Sequence, residues 1–210
     1  IVSILSSVLA VGNNVQVALM APTEILATQH FDSFQKELSK VKITCCLLTG
    51  KMKKKNRTNI INNIENGMIS VIIGTHAIIQ DDVKFKNLGL VIIDEQHRFG
   101  VGQRNKLTGK GKSPHLLSMT ATPIPRTLSI TYMGDMDLSI IDELPKNRIP
   151  VTTKVINPER LPKVYSFMRE QIGKGQQCMI VYPLVEESEK SDIAAAIDMY
   201  KELKGKIFIK

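Results

Sequence analysis

Apolar and polar positions along the chain follow two periods, one helical and one strand-like. Residues 1–11 place apolar side chains at positions 1, 4, 5, 8 and 9, which is the spacing of one helix face. Gly12-Asn13-Asn14 then supplies a helix stop. A strand is predicted over Val15 to Met20, and Pro22-Thr23 separates it from a helical pattern over Glu24 to Leu38.

Short apolar runs bounded by polar or glycine residues continue this alternation. They predict strands at Ile43 to Leu48, Ser70 to Ile73, Leu90 to Ile93 and Leu116 to Thr120, and helices over Asn59 to Glu65 and from Pro125. Short, β-branched runs of this kind suit strands that are buried on both faces of a parallel sheet. The repetition of strand and helix therefore predicts an α/β fold with a parallel sheet flanked by helices.

The 210 residues are enough for one domain or for one domain and part of another. Pro145 and Pro150, with polar residues between them, disfavour a helix and suit a linker. We therefore expect a first domain over 1–143, a linker over 144–150 and the beginning of a second α/β unit over 151–210. The elements expected in that incomplete unit are Val151 to Ile156, a helix from Pro158 to about Ile172, a strand Cys178 to Tyr182, a helix near Ile193 to Leu203 and a strand-like run Lys206 to Lys210.

Composition and charge narrow the class of protein. Hydrophobic residues are 43% and charged residues 23%, as in ordinary globular proteins, which argues against a disordered or fibrous chain. The net charge of +8 favours an anionic partner but does not choose between nucleic acid and membrane. The apolar run at the start contains serines and is shorter than the ~20 residues that span a bilayer. Cys45, Cys46 and Cys178 lack C-x-x-C spacing, which indicates reduced thiols in the cytoplasm.

Two carboxylates follow a buried strand directly. Asp94 and Glu95 come after the apolar run Leu90 to Ile93, and ligands bind α/β sheets at the carboxyl ends of their strands. Asp94 is placed to reach a Mg²⁺ ion, which favours a few carboxylates together with substrate phosphates. Glu95 points elsewhere and is suited to orient or deprotonate a water molecule. The alternative interpretation is a strand end that turns into solvent with charged residues.

Small and hydroxyl residues follow the other predicted strands. Thr23 lies near a helix N-terminus, where free N–H groups attract phosphate, and Thr49-Gly50 and Gly74-Thr75 also follow strands. Such residues let a nucleic-acid backbone approach and bond its phosphates without reading sequence. The basic run Lys51 to Arg57 is interpreted as a solvated loop or, alternatively, as a DNA-phosphate contact. His30 and His115 show no ligand spacing and are interpreted as structural.

Several longer stretches carry a resemblance to a known family. They are LMAPTEILATQH at 19–30, GTHAIIQ at 74–80, VIIDEQHRFGVGQR at 91–104 and MTATPIPRTL at 119–128. In this order they resemble motifs of the superfamily 2 DNA helicases, and within these the RecG family of fork-remodelling helicases. IDELPKNRIPVTT at 141–153 and VYPLVEESE at 181–189 also resemble RecG. The resemblance covers essentially the whole chain.

The resemblance implies a RecA-like helicase lobe followed by the start of a second one, with ATP and Mg²⁺ as cofactors. It implies that Asp94 is the Mg²⁺-linked acid, that Glu95 activates water, and that His97 lies near the γ-phosphate. Thr120, Ala121 and Thr122 then couple the nucleotide state to the grip on DNA. The residues that match contacts to the DNA backbone are Pro22, Thr23, Gly50, Gly74 and Thr75.

The function that the resemblance implies is that of an ATP-dependent double-stranded DNA translocase or helicase. Such an enzyme unwinds or reverses branched DNA, such as stalled forks and Holliday junctions, in repair and recombination, without a membrane or an obligate protein partner. The transcription-repair coupling factor, whose partner is RNA polymerase, shares the D-E-x-H-R-F-G and T-A-T-P-I-P-R-T-L signatures. It is the alternative within this class.

The sequence departs from the family in one important respect. The phosphate loop G-x-x-x-x-G-K-[ST] does not occur in these 210 residues, although in the family it lies just before the helix with which this chain begins. The family's wedge domain and most of its second lobe also have no counterpart here. We therefore expect the parent enzyme to hydrolyse ATP and residues 1–210 alone to be inactive. A non-catalytic DNA-binding remnant of a split gene is the alternative from a different class.

Overall fold

The computed structural model describes residues 1–121, 136–143, 145, 148–181, 200–201 and 203–207. The chain divides into two compact units, Ile1–Asp137 and Leu138–Lys210, while the domain and linker limits expected from sequence stay a prediction. The helices and strands of the first unit are α1 Val2–Gly12, β1 Gln16–Met20, α2 Glu24–Leu38, β2 Cys45–Leu48, α3 Lys54–Glu65, β3 Val71–Gly74, β4 Leu88–Asp94, α4 Val101–Thr108 and β5 His115–Met119.

The five strands form one sheet in the order β2-β3-β1-β4-β5. Every neighbouring pair is parallel, with Ala18 of β1 opposite Ile72 of β3 and Val91 of β4. The α/β fold with a parallel sheet that the sequence predicts is confirmed. Because all the strands run in the same direction, the loops that follow them lie along one edge of the sheet.

Alternation along the strands divides the core between the two faces of the sheet. Ala18, Met20 and Ile72 belong to one apolar cluster, whereas Val17, Leu19 and their neighbours in β3 and β4 belong to the other. Successive strand residues point to opposite faces, so an uninterrupted apolar run feeds both clusters. Helices cover the two clusters: α1 and α2 contribute side chains to one, and α3 and α4 to the other.

The helix α2 has bounds that follow directly from its sequence. Thr23 is the N-cap, and its hydroxyl accepts a hydrogen bond of 3.2 Å from the Leu26 N–H, which satisfies one of the free donors at a helix start. Ala27, Phe34 and Leu38 recur at helical spacing and are buried against the sheet. The predicted helix Glu24 to Leu38 is confirmed.

Two helices of the first unit differ from the prediction. The helix expected at Asn59 begins at Lys54, so most of the basic run expected to be a loop forms the first turns of α3. The helix α4 was not predicted, because Leu107 is its one buried residue and its apolar periodicity is too weak to detect. The helix expected from Pro125 lies outside the described residues.

The second unit contains the helix α5 Leu161–Gly173, preceded by a 3₁₀ turn at Pro158–Arg160; Tyr200 and Lys201 are also helical. The helix predicted from Pro158 is confirmed. The prediction of a strand from Cys178 is wrong for residues 178–181, which are neither helix nor strand. Residues 151–156, which were expected to form an element of this unit, are also neither helix nor strand. A strand needs a hydrogen-bonded neighbour, and the described part of this unit offers none.

The structure describes only some of the residues covered by the remaining predictions for the second unit. Tyr182 and residues 193–199 lie outside the described residues. Leu203–Ile207 form a single π-helical turn where a strand-like run was expected from Lys206. The described residues of the linker, 145 and 148–150, are exposed and irregular. In the described part of the chain, no helix combines the length and apolar character that crossing a bilayer requires.

Candidate functional site

The carboxyl edge of the sheet collects most of the residues singled out from the sequence. In the spatial order of the strands, the loop residues are Gly50 after β2, Thr75 after β3, Pro22 and Thr23 after β1, Glu95 after β4, and Thr120 and Ala121 after β5. Their contacts form two groups. One surrounds Asp94 and Glu95, and the other lies where the loops after β1, β2 and β3 meet.

Asp94 is the last residue of β4, which lies between β1 and β5, and its side chain contacts a residue from α2. Its Oδ2 atom lies 2.7 Å from Nε2 of His30, and the side chains of His30 and Asp94 are 24% and 19% exposed. The structure therefore places His30, which is interpreted as structural from the sequence, in contact with a predicted site residue. The sequence contained an indication that His30 lies near the site. His30 ends the motif at 19–30 and lies about two helical turns after Thr23.

Glu95 begins the loop after β4 in an unusual backbone conformation. Its φ of 53° and ψ of 57° lie in the left-handed region, which non-glycine residues rarely adopt. Its Oε2 atom accepts a hydrogen bond of 3.2 Å from the Thr120 hydroxyl and lies 3.5 Å from Nδ1 of His97. The structure thus brings together Glu95, His97 and Thr120, three of the residues predicted for the site.

A further contact ties the same loop to β5. Gln96 is 8% exposed, and its Oε1 atom accepts a hydrogen bond from the Ser118 hydroxyl. Gln96 and Ser118 were not predicted, because nothing in the sequence pattern shows that the two segments are neighbours. With the Thr120 contact, this bond links the end of β4 to the end of β5 at two points.

The second group forms where three loops approach one another around Gly50. A Cβ atom on Gly50 would lie 3.9 Å from Nε2 of His76 and 4.0 Å from Oε1 of Glu24. The other oxygen of Glu24, Oε2, lies 3.2 Å from Nζ of Lys51. Glu24 follows Thr23 and His76 follows Thr75, so the predicted DNA-contact residues of three separate loops lie near one another.

Gly74 ends β3 at a point that leaves no room for a side chain. A Cβ atom there would lie 1.9 Å from the backbone oxygen of Leu48, closer than any real contact. Gly74 is therefore required by the packing of β3 against β2, independently of any ligand.

Thr75 differs from the other predicted DNA contacts. It is 2% exposed, and its hydroxyl is buried without a hydrogen-bond partner in the described structure. Since the side chain faces the interior, it is not available to an external phosphate in this conformation. Thr23 and Gly50, by contrast, are exposed, and Pro22 is half-buried.

The basic run of the sequence is divided between two environments. The Arg57 guanidinium pairs with the Asp82 carboxylate at 2.9 Å and donates to Oε1 of Gln80, so it has protein partners. Lys53, Lys54 and Lys55 are exposed at the first turn of α3, which has neither an acidic residue nor a side-chain cap. Positive charge at a helix N-terminus is unfavourable for the helix, and a phosphate would relieve it.

Two parts of the predicted site have less structural information. Ala121 is exposed and follows Thr120 directly, whereas Thr122 lies outside the described residues. Among the residues that the structure describes, no three His, Cys, Asp or Glu side chains group as ligands for a metal ion.

Comparison with known proteins identifies relatives of this chain. The DEAD/DEAH box helicase family matches residues 1–131. The RecG protein of Synechocystis sp. is 47% identical over 208 residues, covering 99% of this chain and 25% of that protein. The RecG protein of Streptococcus pneumoniae is 52% identical over 194 residues, covering 92% of this chain and 29% of that protein. Both relatives are named ATP-dependent DNA helicases.

A solved structure agrees with these sequence relatives. The structure of RecG bound to a three-way DNA junction matches 90% of this chain and 24% of its own, with a TM-score of 0.68 and 44% sequence identity. The resemblance to RecG that the motifs indicate is therefore confirmed, and the transcription-repair coupling factor is not favoured. The chain spans about a quarter of the length of the curated relatives it matches.

Proposed function

The chain belongs to the DEAD/DEAH box helicase family, and on that premise we propose that it forms the metal-binding and water-orienting part of an ATP-driven DNA motor. The observation that carries this proposal is the pair Asp94 and Glu95 at the end of β4, with Glu95 in contact with His97 and Thr120. A buried strand that ends in two acids, at the edge where parallel sheets bind ligands, is suited to a nucleotide site.

The two acids have different partners, which suits two different roles. Asp94 has its Oδ2 atom on His30, and we assign its other oxygen, Oδ1, as the atom that would hold Mg²⁺. Mg²⁺ is commonly bound through one or two carboxylates together with substrate phosphates, and the Asp94 carboxylate at the end of β4 is of that kind. When bound, the ion neutralises negative charge on the phosphates of ATP.

Glu95 is the residue that we assign to the attacking water. Its carboxylate is held by Thr120 and faces Nδ1 of His97, so its direction is fixed before a substrate arrives. It orients the water by accepting a hydrogen bond and takes the proton as the water oxygen bonds to the γ-phosphorus, while the bond from that phosphorus to the β,γ-bridging oxygen breaks and ADP leaves. His97, at the rim of the same loop and 41% exposed, is placed to contact the γ-phosphate.

Coupling of the nucleotide state to DNA is assigned to the segment after β5. The Thr120 hydroxyl donates to Glu95, so a change in the contacts of Glu95 on hydrolysis alters the start of the segment Thr120, Ala121 and Thr122. Energetic coupling requires such a physical link between two sites.

The DNA contacts are assigned to the loops after β1, β2 and β3. Thr23 and Gly50 are exposed there, and Pro22 and Gly74 shape the loops around them. Because the Thr75 side chain is buried, we assign to Thr75 the support of its loop and a backbone contact. Contacts of this kind hold phosphates without reading sequence.

The substrate is proposed from the relative whose structure contains DNA. That RecG protein is bound to a three-way junction, so we propose branched double-stranded DNA as the substrate of the complete enzyme, in repair and recombination. We place this activity in the cytoplasm, without an obligate protein partner.

The test uses a completed motor, in which residues 1–210 replace the matching segment of the Thermotoga maritima RecG relative, 48% identical over 193 residues. In this motor Glu95→Gln removes the base but keeps the side-chain shape. We expect it to retain nucleotide and DNA binding and to lose about 10²-fold or more of the ATP turnover. Asp94→Asn is expected to weaken Mg²⁺-dependent nucleotide binding as well. Steady-state ATP hydrolysis and equilibrium nucleotide binding measure the two effects.

Matched controls distinguish the site from a general loss of acidic charge. Glu65→Gln and Asp32→Asn make the same chemical changes at exposed helix positions and should leave turnover unchanged. The proposal is contradicted if the folded, unsubstituted motor does not hydrolyse ATP, or if Glu95→Gln turns over as fast as Glu65→Gln.

A further inference from the structure

The contact between His30 and Asp94 joins a residue without an assigned role to the proposed metal-binding acid. The two residues lie 64 positions apart in sequence, yet Nε2 of His30 is 2.7 Å from Oδ2 of Asp94. Both side chains are largely buried, at the junction of α2 and the end of β4. A hydrogen bond to a carboxylate in such surroundings is among the stronger ones in proteins.

The position of His30 is fixed by the helix that carries it. Ala27, Phe34 and Leu38 of α2 are buried against the sheet, and Thr23 caps the start of the helix. The imidazole therefore projects from a rigid element toward a carboxylate at the end of a rigid strand. An Asp side chain has a broad preference for its terminal torsion, and a fixed donor on one oxygen selects a single orientation.

We propose that His30 is a positioning residue for the metal-binding acid: its Nε2–H donates to Oδ2 of Asp94 and thereby directs Oδ1 toward the Mg²⁺ of a bound nucleotide. This inference rests on the proposed role of Asp94 as the Mg²⁺ ligand. A carboxylate that holds a metal is generally itself hydrogen-bonded, and loss of such a supporting group typically costs about 10–100-fold in metal affinity or activity.

A purely structural ion pair is the competing explanation of the same contact. It would tie α2 to β4, and its loss would lower the stability of the first unit without a selective effect on metal binding. The two explanations differ for His30→Gln, because glutamine places an N–H donor near the position of Nε2 without providing a charge.

The experiment compares His30→Ala and His30→Gln in the completed motor. Mn²⁺ serves as the probe, and its affinity in the presence of ADP is measured by electron paramagnetic resonance. The Mg²⁺ concentration for half-maximal ATP hydrolysis is measured in parallel. We expect His30→Ala to weaken Mn²⁺ binding by about 10–100-fold and to raise the Mg²⁺ requirement by a similar factor. His30→Gln should restore most of both.

Three controls accompany these variants. ADP affinity in the presence of a chelator should be the same in all of them, because that binding does not use Asp94 through a metal. His115→Ala, at an exposed position at the start of β5, should bind Mn²⁺ like the unsubstituted motor. Thermal unfolding of each variant shows whether a loss of affinity merely follows a loss of fold.

The outcomes separate this inference from the proposed function. If Asp94→Asn abolishes Mn²⁺ binding but His30→Ala binds normally, the positioning role is wrong and the metal site stands. If His30→Ala and His30→Gln lose affinity equally and both unfold early, the contact is structural and the inference is also wrong. If Asp94→Asn itself binds Mn²⁺ normally, the proposed role of Asp94 fails.

Discussion

At the scale of single residues, the backbone of Glu95 is the most unusual feature of the site. Its φ of 53° is one of three positive values among the described non-glycine residues, and such a conformation costs of order 1–3 kcal/mol. The conformation turns the carboxylate toward Thr120 and His97. The fold thus tolerates local strain in order to direct this side chain.

This strain predicts that the glycine and alanine variants at position 95 differ in stability in the direction opposite to the usual one. Glu95→Gly should be more stable than Glu95→Ala by about 1 kcal/mol, because glycine adopts left-handed angles without a Cβ clash. At Glu65, in the last turn of α3, the order should be the ordinary one, with alanine more stable. Urea unfolding followed by circular dichroism gives both differences. Equal stability of the two variants at position 95 would show that the backbone there is unstrained.

Burial controls the chemistry of the cysteines. Burial first, and then the neighbouring charge of Cys45, raises the pKa of Cys46 to about 12, and burial also raises the pKa of Cys45. Between pH 9 and 12 the folded thiol of Cys46 keeps a proton that the unfolded thiol loses. Its contribution to the free energy of unfolding therefore falls as pH rises through this window.

The same burial predicts selective alkylation of the folded chain. At pH 8.5, iodoacetamide should modify the exposed Cys178 rapidly and Cys46 very slowly, because the thiolate is the reactive form. In urea all three thiols should react at similar rates. Mass spectrometry of the peptides measures the extents, and modification of Cys46 as fast as Cys178 in the folded chain would contradict the burial.

At the scale of elements, one buried side chain fixes the amino ends of the central strands. Gln16, which begins β1, is 5% exposed. Its Nε2 donates to the backbone oxygens of Ile64 at 2.9 Å and Ile69 at 2.8 Å. Its Oε1 accepts from the N–H groups of Lys86 at 2.8 Å and Asn87 at 3.1 Å. It thus joins the end of α3 and the entries to β3 and β4.

Gln16→Leu should therefore be strongly destabilising although it adds an apolar side chain to an apolar region. It leaves the Ile69 carbonyl and the N–H groups of Lys86 and Asn87 without the partner that Gln16 supplies, whereas the Ile64 carbonyl keeps the Gly67 N–H. Each unpaired group costs about 1–3 kcal/mol when buried, so we expect a loss of about 3 kcal/mol. Gln29→Leu, at an exposed position of α2, should change stability by less than about 0.5 kcal/mol. Thermal or urea unfolding of the two variants tests this, and similar values would mean that Gln16 is not essential.

At the scale of the whole molecule, net charge predicts how the chain would bind DNA in the function proposed above. The net charge is +8, and Lys53, Lys54 and Lys55 are exposed at the start of α3. Contacts to phosphates release counterions, so affinity should fall steeply with salt and show no preference between unrelated sequences.

Fluorescence anisotropy with two unrelated duplexes tests this interface. Replacing Lys54 and Lys55 by alanine should lower the slope of log affinity against log salt by about one for each lost phosphate contact. Lys163→Ala, at an exposed position of α5, is the control for general loss of charge. A preference for one duplex sequence, or an unchanged slope for the double variant, would exclude the lysines as phosphate contacts.

Much of the molecule was determined by local sequence alone. The periods of apolar residues predicted α1, α2 and the five strands, since a buried strand or helix face requires apolar side chains at fixed spacing. They also placed Asp94 and Glu95 at the end of a buried strand. The motifs of the chain indicated the family that the comparisons confirm.

The tertiary structure decided what those residues contact. The order β2-β3-β1-β4-β5 brings the Gly50, Glu24 and His76 loops together, and packing buries Thr75 and requires a glycine at position 74. The pairing of His30 with Asp94 joins positions 64 residues apart. Periodicity specifies which face of an element is buried but not which element covers it. The partner of Asp94 was therefore determined by the packing of α2 on the sheet, and the Thr120 partner of Glu95 by the pairing of β4 with β5.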